Sequence, residues 1–379
     1  MKLLIAGDYC PRHRVSQLIS QGDLAAVFAD IKKETDAMDY SIVNLECPVV
    51  QNEAKPIGKC GPNLKTTIKG VEALQYAGFN CATLANNHFL DFGEAGVLDT
   101  LNACAACGLD VVGGGTDLSE ASKVLYKKLS GRILAIINCC EHEFSIASER
   151  TAGSNPLNVV KQYYSIREAR EKADFVIVII HGGVEHFWLP TKRMKETYRF
   201  FVDAGADAVI NHHQHCFSGY EVYKGKPIFY GLGNFCFDGN AQNKKWTSGF
   251  MVRLTLDGDR NVKYDIIPYS QCREEAGVRV LQGEAKNAFL KHIETYNAII
   301  ANDEANEDAY IKWCSKNEGM YKSALNPFYN KFTAWLFDGV MGLKILKKHK
   351  WLYTKDMLEN ESHIERVRLF IDSQISKRK

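Results

Sequence analysis

The sequence lacks a charge imbalance: 47 Lys and Arg stand against 45 Asp and Glu, for a formal net charge of +2. That balance removes any global electrostatic case for a nucleic-acid partner. Long apolar runs are missing as well. None reaches eighteen residues, which argues against a membrane-spanning helix. The opening run Met1-Lys2-Leu3-Leu4-Ile5-Ala6 is too short for a secretion-signal core and reads as a first buried strand. Cysteine is sparse for a disulfide-stapled domain, with 12 in 379 residues. Reduced thiols in a cytoplasmic protein are the expectation. Cys104 and Cys107 form a CxxC, but they sit in a helical pattern as small apolar residues, which points to packing rather than zinc or redox chemistry. No internal repeat or low-complexity stretch occurs.

What is present is a 46% hydrophobic chain, able to bury a substantial core as one large domain or two ordinary ones. Short apolar runs at Lys2–Gly7, Tyr40–Leu45, Asn80–Ala85, Leu109–Val112, Ile133–Asn138, Phe175–His181 and Ala208–Asn211 read as strands. Helical patterns lie between them at Leu24–Thr35, Ile68–Ala77, Ala95–Cys107, Val159–Lys172 and Thr191–Ala204. Such alternation predicts an α/β fold whose sheets are covered by helices. Two hairpins follow, Tyr220–Tyr223 with Pro227–Leu232 and Gly249–Leu256 with Val262–Pro268. From about Leu281 the composition turns helical, giving an expected division into residues 1–272 and a helical C-terminal appendage, 273–379. Within it, Gly339–Lys379 carries ten Lys and Arg against five Asp and Glu. The segment Phe332–Tyr353 mixes these cations with Trp335, Phe337, Leu346 and Trp351, a composition suited to an interfacial helix. A core-docking helix with a solvated basic face is the favoured reading.

The informative feature is where the strands stop, because ligands in open α/β sheets gather at carboxyl ends of strands. Those ends carry Asp8, then Asn44 and Glu46, then Asn86-Asn87-His88, Asn138, His181, His212-His213-Gln214-His215, and later Asn234 and Asp238. Any one of them is readily a capped loop or a satisfied histidine. Five strands ending in donors of one type are less easily dismissed. Carboxylate, imidazole and Asn carbonyl suit a divalent metal, one or two ions of Mn, Zn or Fe. A shared carboxylate would allow two ions to clamp a phosphoryl displacement. His213 and His215, spaced i, i+2, would share one face of an extended segment. Glu185 and His186 would orient substrate or support ligands, with a plain polar loop as the equal alternative. The Gly113-Gly114-Gly115-Thr116 turn is a weak candidate for anion binding.

Taken in order, the strings Ala6-Gly7-Asp8, Asn44-Leu45-Glu46-Cys47-Pro48, Lys59-Cys60-Gly61-Pro62, Ala85-Asn86-Asn87-His88-Phe89-Leu90-Asp91-Phe92-Gly93, His181-Gly182-Gly183-Val184-Glu185, His212-His213-Gln214-His215 and Leu232-Gly233-Asn234-Phe235 resemble the CapA (poly-γ-glutamate capsule synthesis) family of the calcineurin-like metallophosphoesterase superfamily. The resemblance covers about residues 3–240. It implies a four-layer α/β/β/α sandwich, metallophosphoesterase-like, with a site at the strand ends. It also implies metal ligands at Asp8, Glu46, Asn87, His181, His213 and His215, and a leaving-group role for His88. Substrate-side roles fall to Asn44, Glu185, His186 and Asn234. The superfamily's Asp-x-His is Asp8-Tyr9-Cys10 here, so one histidine ligand is replaced by Cys10. Asn211, Gly182 and Gln214 also depart from the family's glycine, tryptophan and proline. The activity implied is metal-dependent hydrolysis of a phosphoester in capsule or cell-surface polymer metabolism. The alternatives are an accessory role in anionic polymer synthesis, or amide-bond chemistry at the same metal site. The expected partner is a small-molecule, lipid-linked or polymer substrate, without nucleic acid. Peripheral membrane contact through the basic aromatic C-terminal segment is a further expectation.

Overall fold

Lys2–Tyr9 is a strand with seven of its eight residues buried, so it lies inside a sheet with both faces covered. The computed structural model describes residues 1–51, 54–59, 61–258, 260–316 and 330–336. In it, Lys2–Tyr9 sits mid-sheet in the order Val278–Val280, Asn261–Gln271, Ser248–Asp257, Lys2–Tyr9, Tyr40–Leu45, Cys81–Thr83, Asp110–Val112. Asn234–Cys236 adds an eighth strand, parallel to the end of Lys2–Tyr9. The second sheet has six strands, Tyr220–Tyr223, Lys226–Phe229, Ala208–His212, Phe175–His181, Arg132–Cys140 and Leu125–Leu129 in spatial order.

The two sheets lie between helices, giving the expected four-layer order. Leu4, Ala6, Val43 and Ala82 join an apolar cluster with Val15, Ile19, Phe28, Leu74 and Val97 from the helices over the first sheet. Alternate residues Leu3, Ile5, Ile42 and Cys81 are equally buried but fall outside that cluster, on the face turned to the second sheet. Helices Val159–Lys172 and Lys192–Ala204 cover the other side. The latter buries Met194, Tyr198, Phe201 and Val202, a helical stripe in which each side chain contributes about 1.5–3 kcal/mol. Its start is fixed by Thr191, whose hydroxyl accepts from Met194 N. Asn138 ties the sheets together: its Oδ1 accepts from Ala85 N at 2.8 Å and its Nδ2 donates to Ile179 O at 3.0 Å.

Gly7 has a steric reason. A Cβ there would meet Gly233 O at 1.9 Å, where the first strand runs against the loop before Asn234. The register then shifts between Ile5 and Asp8 and again between Asp8 and Tyr9, an irregularity that re-aims Asp8 at the sheet edge.

The first compact unit runs Met1–Ile311, past the expected boundary at 272, because helix Gly283–Ile300 buries Phe289, Ile293, Tyr296 and Ile300. Asn297 Oδ1 also accepts from Tyr220 N at 2.7 Å. The second unit is Lys312–Lys379; among its described residues is a short helix, Lys331–Ala334, with Phe332 and Trp335 exposed. The basic segment Gly339–Lys379 lies outside the described residues. No helix among the described residues is long and apolar enough to cross a membrane.

Candidate metal centre

The strand ends meet. Glu46, just after Tyr40–Leu45, is fully buried, and neither carboxylate oxygen has a hydrogen-bond partner among the described residues. Its Oε1 lies 3.7 Å from His181 Nε2 and 3.7 Å from His215 Nε2. Two groups of ligand atoms, each within 4.8 Å of one another, share this carboxylate: Glu46, His181 and His213, and Asp8, Glu46 and His215. On the first group, His181 Nε2 is 3.1 Å from Asn87 Oδ1 and 3.0 Å from His213 Nδ1. On the second, Asp8 Oδ2 is 4.0 Å from His215 Nδ1.

The electrostatics are those of an uncompensated cluster. Burial raises the Asp8 carboxyl to about 6, against hydrogen bonds from Asn44 Nδ2 and His213 N that pull it down. Burial, with the neighbouring charge of Asp8 second, pushes Glu46 well above the usual carboxylate range. Burial holds His181 well below the ordinary imidazole value and lowers His215 to about 3. Neutral imidazoles and orphaned carboxylate oxygens are the donor forms a divalent ion needs, so these residues fit one.

The His213 and His215 geometry differs from a shared strand face. The strand Ala208–His212 ends one residue earlier, and both histidines adopt left-handed backbone, φ 93° and 54°. The i, i+2 pair reaches the cluster through a strained turn rather than a pleat. His186 shares this conformation, φ 64°.

The bacterial capsule synthesis protein family PGA_cap matches residues 2–239. The chain belongs to that family. Among its relatives, the capsule biosynthesis protein CapA of Bacillus anthracis is 30% identical over 276 residues, 71% of this chain and 67% of that one. The PGA biosynthesis protein CapA of Bacillus subtilis (strain 168) is 34% identical over 268 residues, 69% of each chain. A 5'-nucleotidase precursor from Thermus thermophilus superposes with a TM-score of 0.44 at 12% identity, over 79% of this chain and 59% of that one.

In this PGA_cap chain, two residues expected to meet substrate stand behind the cluster. Asn44 is fully buried, donating to Asp8 Oδ1 at 2.7 Å and lying 3.3 Å from His181 Nδ1. Asn234, also fully buried, places Oδ1 2.8 Å from His215 Nδ1. Both are packed against side chains of the cluster, Asn44 against Asp8 and His181 and Asn234 against His215. Glu185 and His186 are exposed, and the His186 ring lies 6.0 Å from that of His215. Two strand-end donors have structural work instead: Asn138 joins the sheets, and Asp238 is gripped by Arg14 through Nε at 3.0 Å and Nη2 at 2.8 Å. The glycine run is also structural, since a Cβ at Gly113 would meet Asn138 Oδ1 at 2.0 Å. Cys10 is buried and its thiol pushed up by burial, with Cys47 beside it.

Sequence reasoning missed three neighbours. Glu143 lies 2.9 Å from Asn87 Nδ2 and 3.3 Å from His213 Nε2. Asp91, which like Lys59 stands in one of the family-like strings without a role, lies with Oδ2 2.7 Å from His88 Nδ1. Lys59, with 1% of its side chain exposed, pairs with Asp91 and approaches His88 Nδ1 at 3.0 Å. Only Asp91 had a local signal, its i, i+3 spacing from His88; the other two come from loops whose course no periodicity predicts.

Proposed function

We propose that this chain is a metal-dependent hydrolase of phosphoesters serving capsule or cell-surface polymer metabolism. The observation that carries the reading is Glu46, a buried carboxylate with two free oxygens set between two groups of ligand atoms. Asp8, Glu46 and His215 would hold one divalent ion, and Glu46, Asn87, His181 and His213 a second. Such ions supply Lewis-acid activation of water and of phosphoryl oxygens. Asn44 and Asn234 fix Asp8, His181 and His215 against them. His88 is the group for the leaving oxygen. Its Nδ1 is taken up by Asp91 and Lys59, which leaves Nε2 as the nitrogen that would meet the leaving oxygen.

A second reading follows from the relatives' names, which include a probable polyglutamine synthesis accessory protein of Mycobacterium tuberculosis (strain CDC 1551 / Oshkosh), 28% identical over 225 residues, 54% of this chain and 57% of that one. It makes the chain an accessory of poly-γ-glutamate synthesis, or an enzyme of amide bonds at the same cluster. A panel of phosphomonoesters, phosphodiesters and γ-glutamyl peptides, run with Mn, Zn or Fe, separates the two. Turnover of a phosphoester that is lost in His213→Ala supports the first reading. Turnover of γ-glutamyl peptides alone, or of nothing in a metal-loaded protein, supports the second.

A further inference from the structure

Beside the metal centre lies a cleft of about 600 Å³, within the range of small-molecule sites. Its wall is apolar: Phe217, Phe289 and Tyr296 pack with ring centroids 4.3 Å and 5.6 Å from Phe217. Its rim is cationic, with Lys244, Lys245 and Arg273, and among the described residues no Asp or Glu lines it. The ion pairs among the described residues involve other cations. Lys245 Nζ instead rests over the Trp188 ring, 3.1 Å from its centroid. The cleft is joined to the metal centre twice. Phe217 follows the ligand His215 by two residues, and Trp246, between Lys245 and Thr247, has its ring 4.9 Å from that of His215.

An aromatic wall gains from an apolar body, and three cations without carboxylate partners gain from an anion. We propose that this cleft binds a monomeric anionic amphiphile, an alkyl or aryl phosphomonoester, with the apolar body against Phe217, Phe289 and Tyr296 and the anionic group on Lys244, Lys245 and Arg273. The position beside His215 makes it the subsite for the non-reacting part of the substrate; this step rests on the phosphoester reading above, whereas binding itself does not.

The test is calorimetric titration in EDTA with decyl phosphate below its micelle concentration, inorganic phosphate and decanol. Decyl phosphate is expected to bind at least ten-fold more tightly than either fragment. Lys244→Ala/Lys245→Ala and the exposed, cleft-filling Ala288→Glu should each weaken it ten-fold or more, while His213→Ala keeps it within two-fold. Quenching of Trp188 emission, absent in Trp188→Phe, should track the same isotherm. Equal binding of decyl phosphate by wild type and both cleft variants would overturn the proposal, as would no saturable binding. Loss of binding in His213→Ala would also overturn it by placing the ligand at the metal centre. A protein that binds decyl phosphate in the cleft but turns over no phosphoester refutes the hydrolase reading and leaves the cleft standing.

Discussion

Replacing Glu46 by Gln should stabilise the metal-free protein and remove its response to metal. Glu46 is fully buried and neither oxygen accepts a hydrogen bond, so an uncharged isostere loses no partner and sheds the desolvation of an ion. Asp8 gives the scale. Raised from 3.8 to about 6 despite two hydrogen bonds, it carries a penalty of about 3 kcal/mol at pH 8, at about 1.4 kcal/mol per pKa unit. A gain of that order at Glu46 corresponds to about 5 °C in Tm for the unit Met1–Ile311. The sign follows from linkage. A carboxyl whose folded pKa is raised costs stability as pH rises above its unfolded value, so the advantage of Glu46→Gln should be absent near pH 4 and grow towards pH 8. Adding Mn²⁺ at about a hundred times its Kd should stabilise wild type by about 2.7 kcal/mol and leave the variant unmoved. Guanidinium denaturation at pH 8, in EDTA and in Mn²⁺, reads all four states. A variant less stable than wild type in EDTA that still gains from Mn²⁺ would refute the argument.

Further outcomes follow from the same geometry. For Asp8→Asn in EDTA, stability relative to wild type should climb by about 2.4 kcal/mol between pH 4 and pH 7, because the raised Asp8 carboxyl penalises the wild type over that window; a flat difference in urea titrations would contradict it. Asn234→Ala frees His215 Nδ1 and should weaken metal affinity about 10–100-fold with the fold intact, read by competition with a chromogenic chelator. Lys59→Met leaves Asp91 and His88 without their buried cation and should cost about 3–5 kcal/mol, measured by denaturant midpoint. Gly7→Ala forces Cβ into Gly233 O and should destabilise by more than about 3 kcal/mol, or abolish soluble expression.

The parallel body of the fold was legible because its strands are continuous apolar runs: Phe175–His181 and Tyr40–Leu45 fall where the pattern puts them. Short or polar elements were not. Helix His13–Gln21 and the edge strand Leu125–Leu129 carry mixed side chains, and Asn234–Cys236 is only three residues long. Helical composition does not say what a helix packs on, and Gly283–Ile300, placed in the appendage by its composition, buries its apolar stripe within the compact unit Met1–Ile311. At the site, the residue types at strand ends identified the cluster, but not which member faces inward. The contacts of Asn44 with Asp8 and of Asn234 with His215 have no sequence signature, and Asn138 and Asp238 serve packing and an ion pair. Positive φ at His213 and His215 could not be read from a non-glycine sequence.

The most direct test of a metal centre built on Glu46 is a crystal grown in Mn²⁺ and measured at the manganese absorption edge. One or two anomalous peaks are expected, at least one about 2.0–2.3 Å from a Glu46 carboxylate oxygen and flanked by His181 and His213 or by Asp8 and His215. A fully occupied crystal with no peak at Glu46, its carboxylate hydrogen-bonded to water alone, would contradict it.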